Sequence, residues 1–143
     1  MDSNVKSFLS NLQELNETNI ATIKIPSTGK NASFKLASIS QQKELLRSAF
    51  EGVDGVIQRA NILNKIITDN SKADIEFTLI DKYAILIGLR KQTIGKIITI
   101  KDEQYNLDDL PQINKSDVKL TDTISVNDIT LKVKVPTLKL DSD

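Results

Sequence analysis

Between Phe77 and Gly95 the chain reads FTLIDKYAILIGLRKQTIG, a stretch that few arrangements can accommodate. Leu79, Ile80, Tyr83, Leu86, Ile87 and Arg90 recur at helical spacing, and Ala84, Ile85 and Leu89 spread the apolar stripe nearly all round. A helix that is apolar on most sides has to be covered on most sides, so other elements must pack around it. Thr78 with Asp81 three residues on reads as a capping box, with Asp as a shorter substitute for Glu. Arg90 and Lys91 fall in the last turn, where positive charge suits the helix dipole, and Gly95 marks the exit. This is a core helix with a basic end and carries no catalytic motif.

The chain's 143 residues are enough for one domain that buries roughly two-thirds of its unfolded surface. Nineteen Lys and Arg balance nineteen Asp and Glu, which removes any general electrostatic attraction to nucleic acid or an anionic membrane. There is no Cys, hence no disulfide framework and no thiolate metal site, as expected of an intracellular protein. No apolar run approaches the roughly 18–20 residues that span a bilayer, and MDSNVKSFLSNLQELN lacks the pattern of a secretory signal. The expectation is a cytoplasmic protein with no membrane contact.

Val5, Phe8, Leu9, Leu12 and Leu15 recur at three and four, so residues 1–17 are expected to hold an amphipathic helix that packs on its own domain or docks on a partner. Residues 18–138 read as a single domain. In NIATIKIPSTGKNASFKLAS, Ala21, Ile23 and Ile25 alternate with polar positions, as do Phe34 and Leu36, and Pro26 and Gly29 supply a reversal: a β-hairpin. Gly29-Lys30 is not a phosphate loop, because Lys24 and Asn31 stand where that loop needs a glycine and a hydroxyl.

Ser38 and Gln41 form a capping-box signature opening a helix from about Ile39 to Glu51, with Leu45, Leu46, Ala49 and Phe50 inward. Asp54 is expected to cap a second helix to about Thr68, with Val56, Ile57, Ala60, Leu63, Ile66 and Ile67 inward. Three helices on short connections should form a bundle, with the Phe77–Gly95 helix in its middle. After Gly95, KIITIKD reads as a strand, EQYNLDDLPQINKSD as a loop and VKLTD as a short strand. DTISVNDITLKVKVP reads as two strands about an Asn127-Asp128 turn. Residues 139–143 look like a solvated tail. The fold class is therefore α+β: an N-terminal helix, a β-hairpin, a compact three-helix centre and C-terminal antiparallel strands.

The absence of His and Cys excludes Ser-His, Cys-His and His-ligated zinc arrangements within this chain. Asp102-Glu103 and Asp108-Asp109 lack the glycine and terminal Glu of a calcium loop and read as solvated turns. No dinucleotide fingerprint is present. The residues thus point to no enzyme, cofactor or metal. Lys132 and Lys134 on the last strand, with Lys24, Lys30 and Lys35 on the first hairpin, are better read as solubilising edges than as a nucleic-acid site, since four Phe, two Tyr and no Trp leave little for base stacking. Arg90-Lys91 is either a helix-end charge pair or a contact with a partner protein, where Arg is often an energetic centre.

Three separated patches, IKIPSTGK with FKLASISQQKELL, LIDKYAILIGLRKQTIGK, and ITLKVKVPTL, stand in an order that resembles the baseplate hub and hub-assembly protein family of T-even-type contractile-tailed bacteriophages. The resemblance covers about Ile23 to Leu138. It rests on Asp81 and Tyr83 at the helix start, on Arg90, Lys91, Thr93 and Gly95 at its exit, and on Pro136-Thr137 closing the last strand. The polar segment after Gly95 departs from relatives that carry a cysteine-bearing excursion there. The resemblance implies a non-enzymatic tail protein, a hub component or a hub assembly factor, whose partners are other baseplate hub or tail proteins, with self-association open. It would act in the host cytoplasm during assembly or in the virion baseplate. The expected partner interface is Arg90, Lys91, Thr93 and Gly95, with Phe8 and Leu12 of the N-terminal helix. The alternative is a small nucleic-acid-binding or regulatory adaptor using the lysine-bearing strands.

Overall fold

In the computed structural model, residues 5–7, 9–10 and 19–141 are described. Strands β1 (Ile20–Lys24) and β2 (Asn31–Lys35) form the expected hairpin, Ile23 opposite Ala32 and Ala21 opposite Phe34. The period-two pattern sends Ala21, Ile23, Ile25, Ala32 and Phe34 into the core. The turn closes through Gly29, whose φ of 70° suits a residue without Cβ and whose amide donates to the Ile25 carbonyl at 2.8 Å.

Helix α1 (Ile39–Ala49) opens on the expected box, the Gln41 amide donating to Ser38 Oγ at 3.2 Å and the Ser38 amide to Gln41 Oε1 at 2.9 Å. Helix α2 (Asp54–Asn70) starts one residue earlier than expected: Val53 is its N-cap, without a side-chain bond, and Asp54 lies in the first turn. The inward faces also differ from expectation. At the α1–α2 corner the tight contact belongs to small residues. Ser48 is fully buried, and a Cβ on Gly55 would stand 2.3 Å from the Ser48 carbonyl oxygen. The Arg59 guanidinium donates to that same carbonyl at 2.7 Å. Leu46, Phe50, Val56 and Ile57 are pushed outside this close approach and are exposed; the core takes Ile62, Ile66 and Ile67 from the second half of α2.

Helix α3 (Leu79–Thr93) is the expected core helix. Asp81, Lys82, Ile85 and Leu89 are buried, most other positions are half-buried, and Tyr83 is the large side chain it leaves exposed. It does not sit in the middle of a three-helix bundle. Its main neighbours are β1, α2 and the C-terminal turn, while α1 packs on α2. Gly88 permits the contact with β1, since a Cβ there would meet the Ile23 side chain at 2.7 Å. The capping box is present and extended. Asp81, fully buried, accepts from the Thr78 amide and hydroxyl, both at 2.9 Å, and from the Ser27 amide (2.9 Å) and hydroxyl (2.7 Å). One carboxylate therefore caps α3 and pins the turn of the first hairpin to it.

Past Gly95 (φ 121°), strands β3 (Ile97–Ile100) and β4 (Glu103–Asn106) pair about Lys101 and Asp102, both at positive φ. EQYN is thus a strand and not part of a loop. Strands β5 (Thr121–Val126) and β6 (Ile129–Lys134) pair about Asn127, at φ 53°; the first of them begins at Thr121, within the expected VKLTD strand. The three hairpins remain separate two-stranded sheets. The chain then returns to the core. Leu79 N–H donates to the Pro136 carbonyl and Leu138 N–H to the Phe77 carbonyl, both at 3.0 Å, and Leu138 is buried. Helical turn α4 (Leu138–Asp141) ends with Asp141 accepting from Lys82 Nζ at 2.7 Å and Asn64 Nδ2 at 2.9 Å. Lys139 and Leu140 are exposed as a tail would be, but Asp141 is anchored.

Candidate functional site

Of the residues expected to meet a partner at the exit of α3, Arg90 and Lys91 are occupied within the chain. Arg90 folds back over the helix end, donating at 3.4 Å to the Gly95 and Ile97 carbonyls. That fixes the direction in which the chain leaves the helix. Lys91 pairs with the Asp108 carboxylate, which also holds Lys96 at 3.0 Å. These two ammoniums, Lys91 first, keep the Asp108 carboxyl below its ordinary range. Thr93 is half-buried, and its hydroxyl has no hydrogen-bond partner among the described residues. Phe8 and Leu12 lie outside the described residues; Val5 and Leu9, from the same expected helix, are helical and exposed.

Two apolar surfaces stand open, and one of them includes Leu46, Phe50, Val56 and Ile57, which helical periodicity assigns to the interior. At the tip of the α1–α2 pair, Phe50 and Val53 are 83% and 86% exposed, with Leu46, Val56 and Ile57 around them. On β5–β6, register places Ile124, Val126, Ile129, Leu131 and Val133 on one face, each about half exposed or more, with Asp122 opposite Val133 at its end. The other face carries Thr121, Thr123, Ser125, Thr130, Lys132 and Lys134. A lone two-stranded hairpin is marginal in water, and contiguous apolar patches on a protein surface mark contact sites.

A third feature is a groove of about 320 Å³ between β1, α3 and the segment after β4, lined in part by Lys24, Tyr83, Gly88, Lys91 and Asp108. Apolar and polar groups share its lining, and its one acidic group, Asp108, is already paired with Lys91 and Lys96. Elsewhere Glu103 accepts from the Tyr105 hydroxyl, a bond that raises the Tyr105 pKa. Among the described residues no cluster of three acidic side chains could hold a metal ion, and no helix is long and apolar enough to cross a membrane.

The chain is thus an α+β protein whose most prominent open features are two exposed apolar surfaces. No family model, curated protein or solved structure matches it.

Proposed function

We propose that this chain is a non-enzymatic tail protein of a contractile-tailed phage, a baseplate hub component or a hub assembly factor that works by binding other hub proteins. The observation that carries the reading is the pair of uncovered apolar surfaces, the Phe50–Val53 tip and the apolar face of β5–β6. Interfaces bury apolar and aromatic side chains at their centre, and these two surfaces present such side chains to solvent. The resemblance of the three sequence patches supports the particular assembly. Arg90 contributes by fixing the exit of α3, and the N-terminal helix remains a second docking element in the proposal. Lys132 and Lys134, on which a nucleic-acid adaptor would rely, share their face with hydroxyl side chains and no aromatic residue, which favours a solubilising role.

Quantitative mass spectrometry of purified phage particles and of infected-cell lysate tests the proposal. A fixed copy number in particles means a hub component, and abundance in lysate with absence from particles means an assembly factor. Presence in uninfected cells overturns the reading.

A further inference from the structure

The two outer edges of the β1–β2 hairpin are treated differently. On β2, the Lys72 amide donates to the Ser33 carbonyl at 2.9 Å and Phe34 is bridged to Ser71, so the chain leaving α2 covers that edge. On β1 no described residue does the same. The ladder fixes which groups remain. Ile25 N–H donates to the Lys30 carbonyl at 2.8 Å and Leu36 N–H to the Asn19 carbonyl at 3.1 Å. By antiparallel alternation, Ala21, Ile23 and Ile25 direct their main-chain groups to β2, and Thr22 and Lys24 direct theirs outward. Thr22 and Lys24 line the 320 Å³ groove, with Ala84, Ile87 and Gly88 of α3 beside them. The groove's charge is uneven. Lys24 and Lys91 line it against Asp108 alone; Asp108 pairs with Lys91 and Lys96, while the Lys24 ammonium donates to the neutral Asn114 Oδ1 at 3.5 Å.

We propose that this groove binds an extended peptide segment of a partner protein, which adds to β1 as a third strand and carries a carboxylate side chain to Lys24. Strand addition takes its affinity from main-chain bonds, here to Thr22 and Lys24, and its specificity from alternate side chains. One set meets the wall of α3, and the other meets Lys24. Tyr83, 66% exposed, adds an amphipathic ring to the lining. The outer edge of β6 is a poorer acceptor: its outward residues include Lys132 and Lys134, charges that protect an edge. The inference does not depend on which assembly the chain serves.

The test pans the full chain against a random peptide library, then measures amide exchange with the selected peptides. Enriched sequences are expected to alternate Asp or Glu with β-branched residues and to lack Pro. The bound peptide is expected to slow exchange of the Thr22 and Lys24 amides. Lys24→Glu should weaken binding about ten-fold or more through charge repulsion. Thr22→Pro removes an outward N–H that the hairpin does not use and should abolish binding; if it unfolds the chain, Lys24→Glu, at an exposed side chain, decides alone. Absence of enrichment, selection of basic or Pro-rich sequences, or protection confined to other strands overturns the proposal.

Discussion

Replacing Asp81 probes the contact on which the fold turns. Its carboxylate is fully buried and accepts four hydrogen bonds, two from main-chain amides, Ser27 and Thr78. In Asp81→Asn the two hydroxyls can rotate to suit an amide group, but an amide nitrogen must face one of the two backbone N–H groups in either orientation. One buried donor is left unpaired, at about 1–3 kcal/mol, and the remaining bonds lose their charge-assisted strength. Together these amount to about 2–3 kcal/mol for Asn, and about 3–5 kcal/mol for Asp81→Ala, which leaves both amides unpaired. With a urea slope of about 2 kcal/mol per M for a chain of this size, Asn should lower the unfolding midpoint by about 1–1.5 M. Urea titration followed by far-UV circular dichroism reads this directly. A midpoint unchanged by Asp81→Asn would refute the view that this carboxylate holds hairpin and helix together.

The hydrogen bonds of Lys82 and then Asn64 hold the Asp141 carboxyl below its ordinary value of 3.8, against a smaller opposing effect of burial. A folded-state value that is depressed gives stability that is complete above the ordinary value and is lost as pH falls through the lower, folded one. Asp141→Asn should therefore cost about 1–2 kcal/mol at neutral pH, with the two unfolding curves converging below about pH 4. Gly88→Ala is expected to destabilise the native chain by about 1 kcal/mol, because overpacking against Ile23 outweighs the gain in helix propensity, and to stabilise an Ile23→Ala background; a double-mutant cycle checks this. Phe50→Ser with Val53→Ser should leave the unfolding free energy within about 0.5 kcal/mol of the parent, since neither side chain is buried, while reducing self-association in sedimentation velocity.

What could be read from the sequence was local. Capping boxes lie within four residues, so those at Ser38 and Thr78 were legible, as was the alternation of the first hairpin. The bond from Ser27 to Asp81 spans 54 positions and left no local trace. Helical periodicity says which face of α1 or α2 is apolar, but not whether anything lies against it. Phe50, Val56 and Ile57 were therefore assigned inward, while the small pair Ser48 and Gly55 makes the actual contact. EQYN was missed because its residues are polar and its turn uses Lys101 and Asp102 at positive φ in place of glycine. The expected interface at Arg90 and Lys91 rests on residue type and on the resemblance, whereas their partners at Gly95, Ile97 and Asp108 come from the following fold of the chain.

The central claim is that this protein acts through its uncovered apolar surfaces on other hub proteins. Its most direct test is affinity capture of the tagged chain from phage-infected cells, with parallel captures using the Phe50→Ser, Val53→Ser pair and a Leu131→Ser, Val133→Ser pair. The expected result is that baseplate hub proteins copurify with the parent chain and are lost from at least one pair, with all three chains equally folded. Recovery of hub proteins by every variant at parental levels, or of nucleic acid in place of hub proteins, would contradict it.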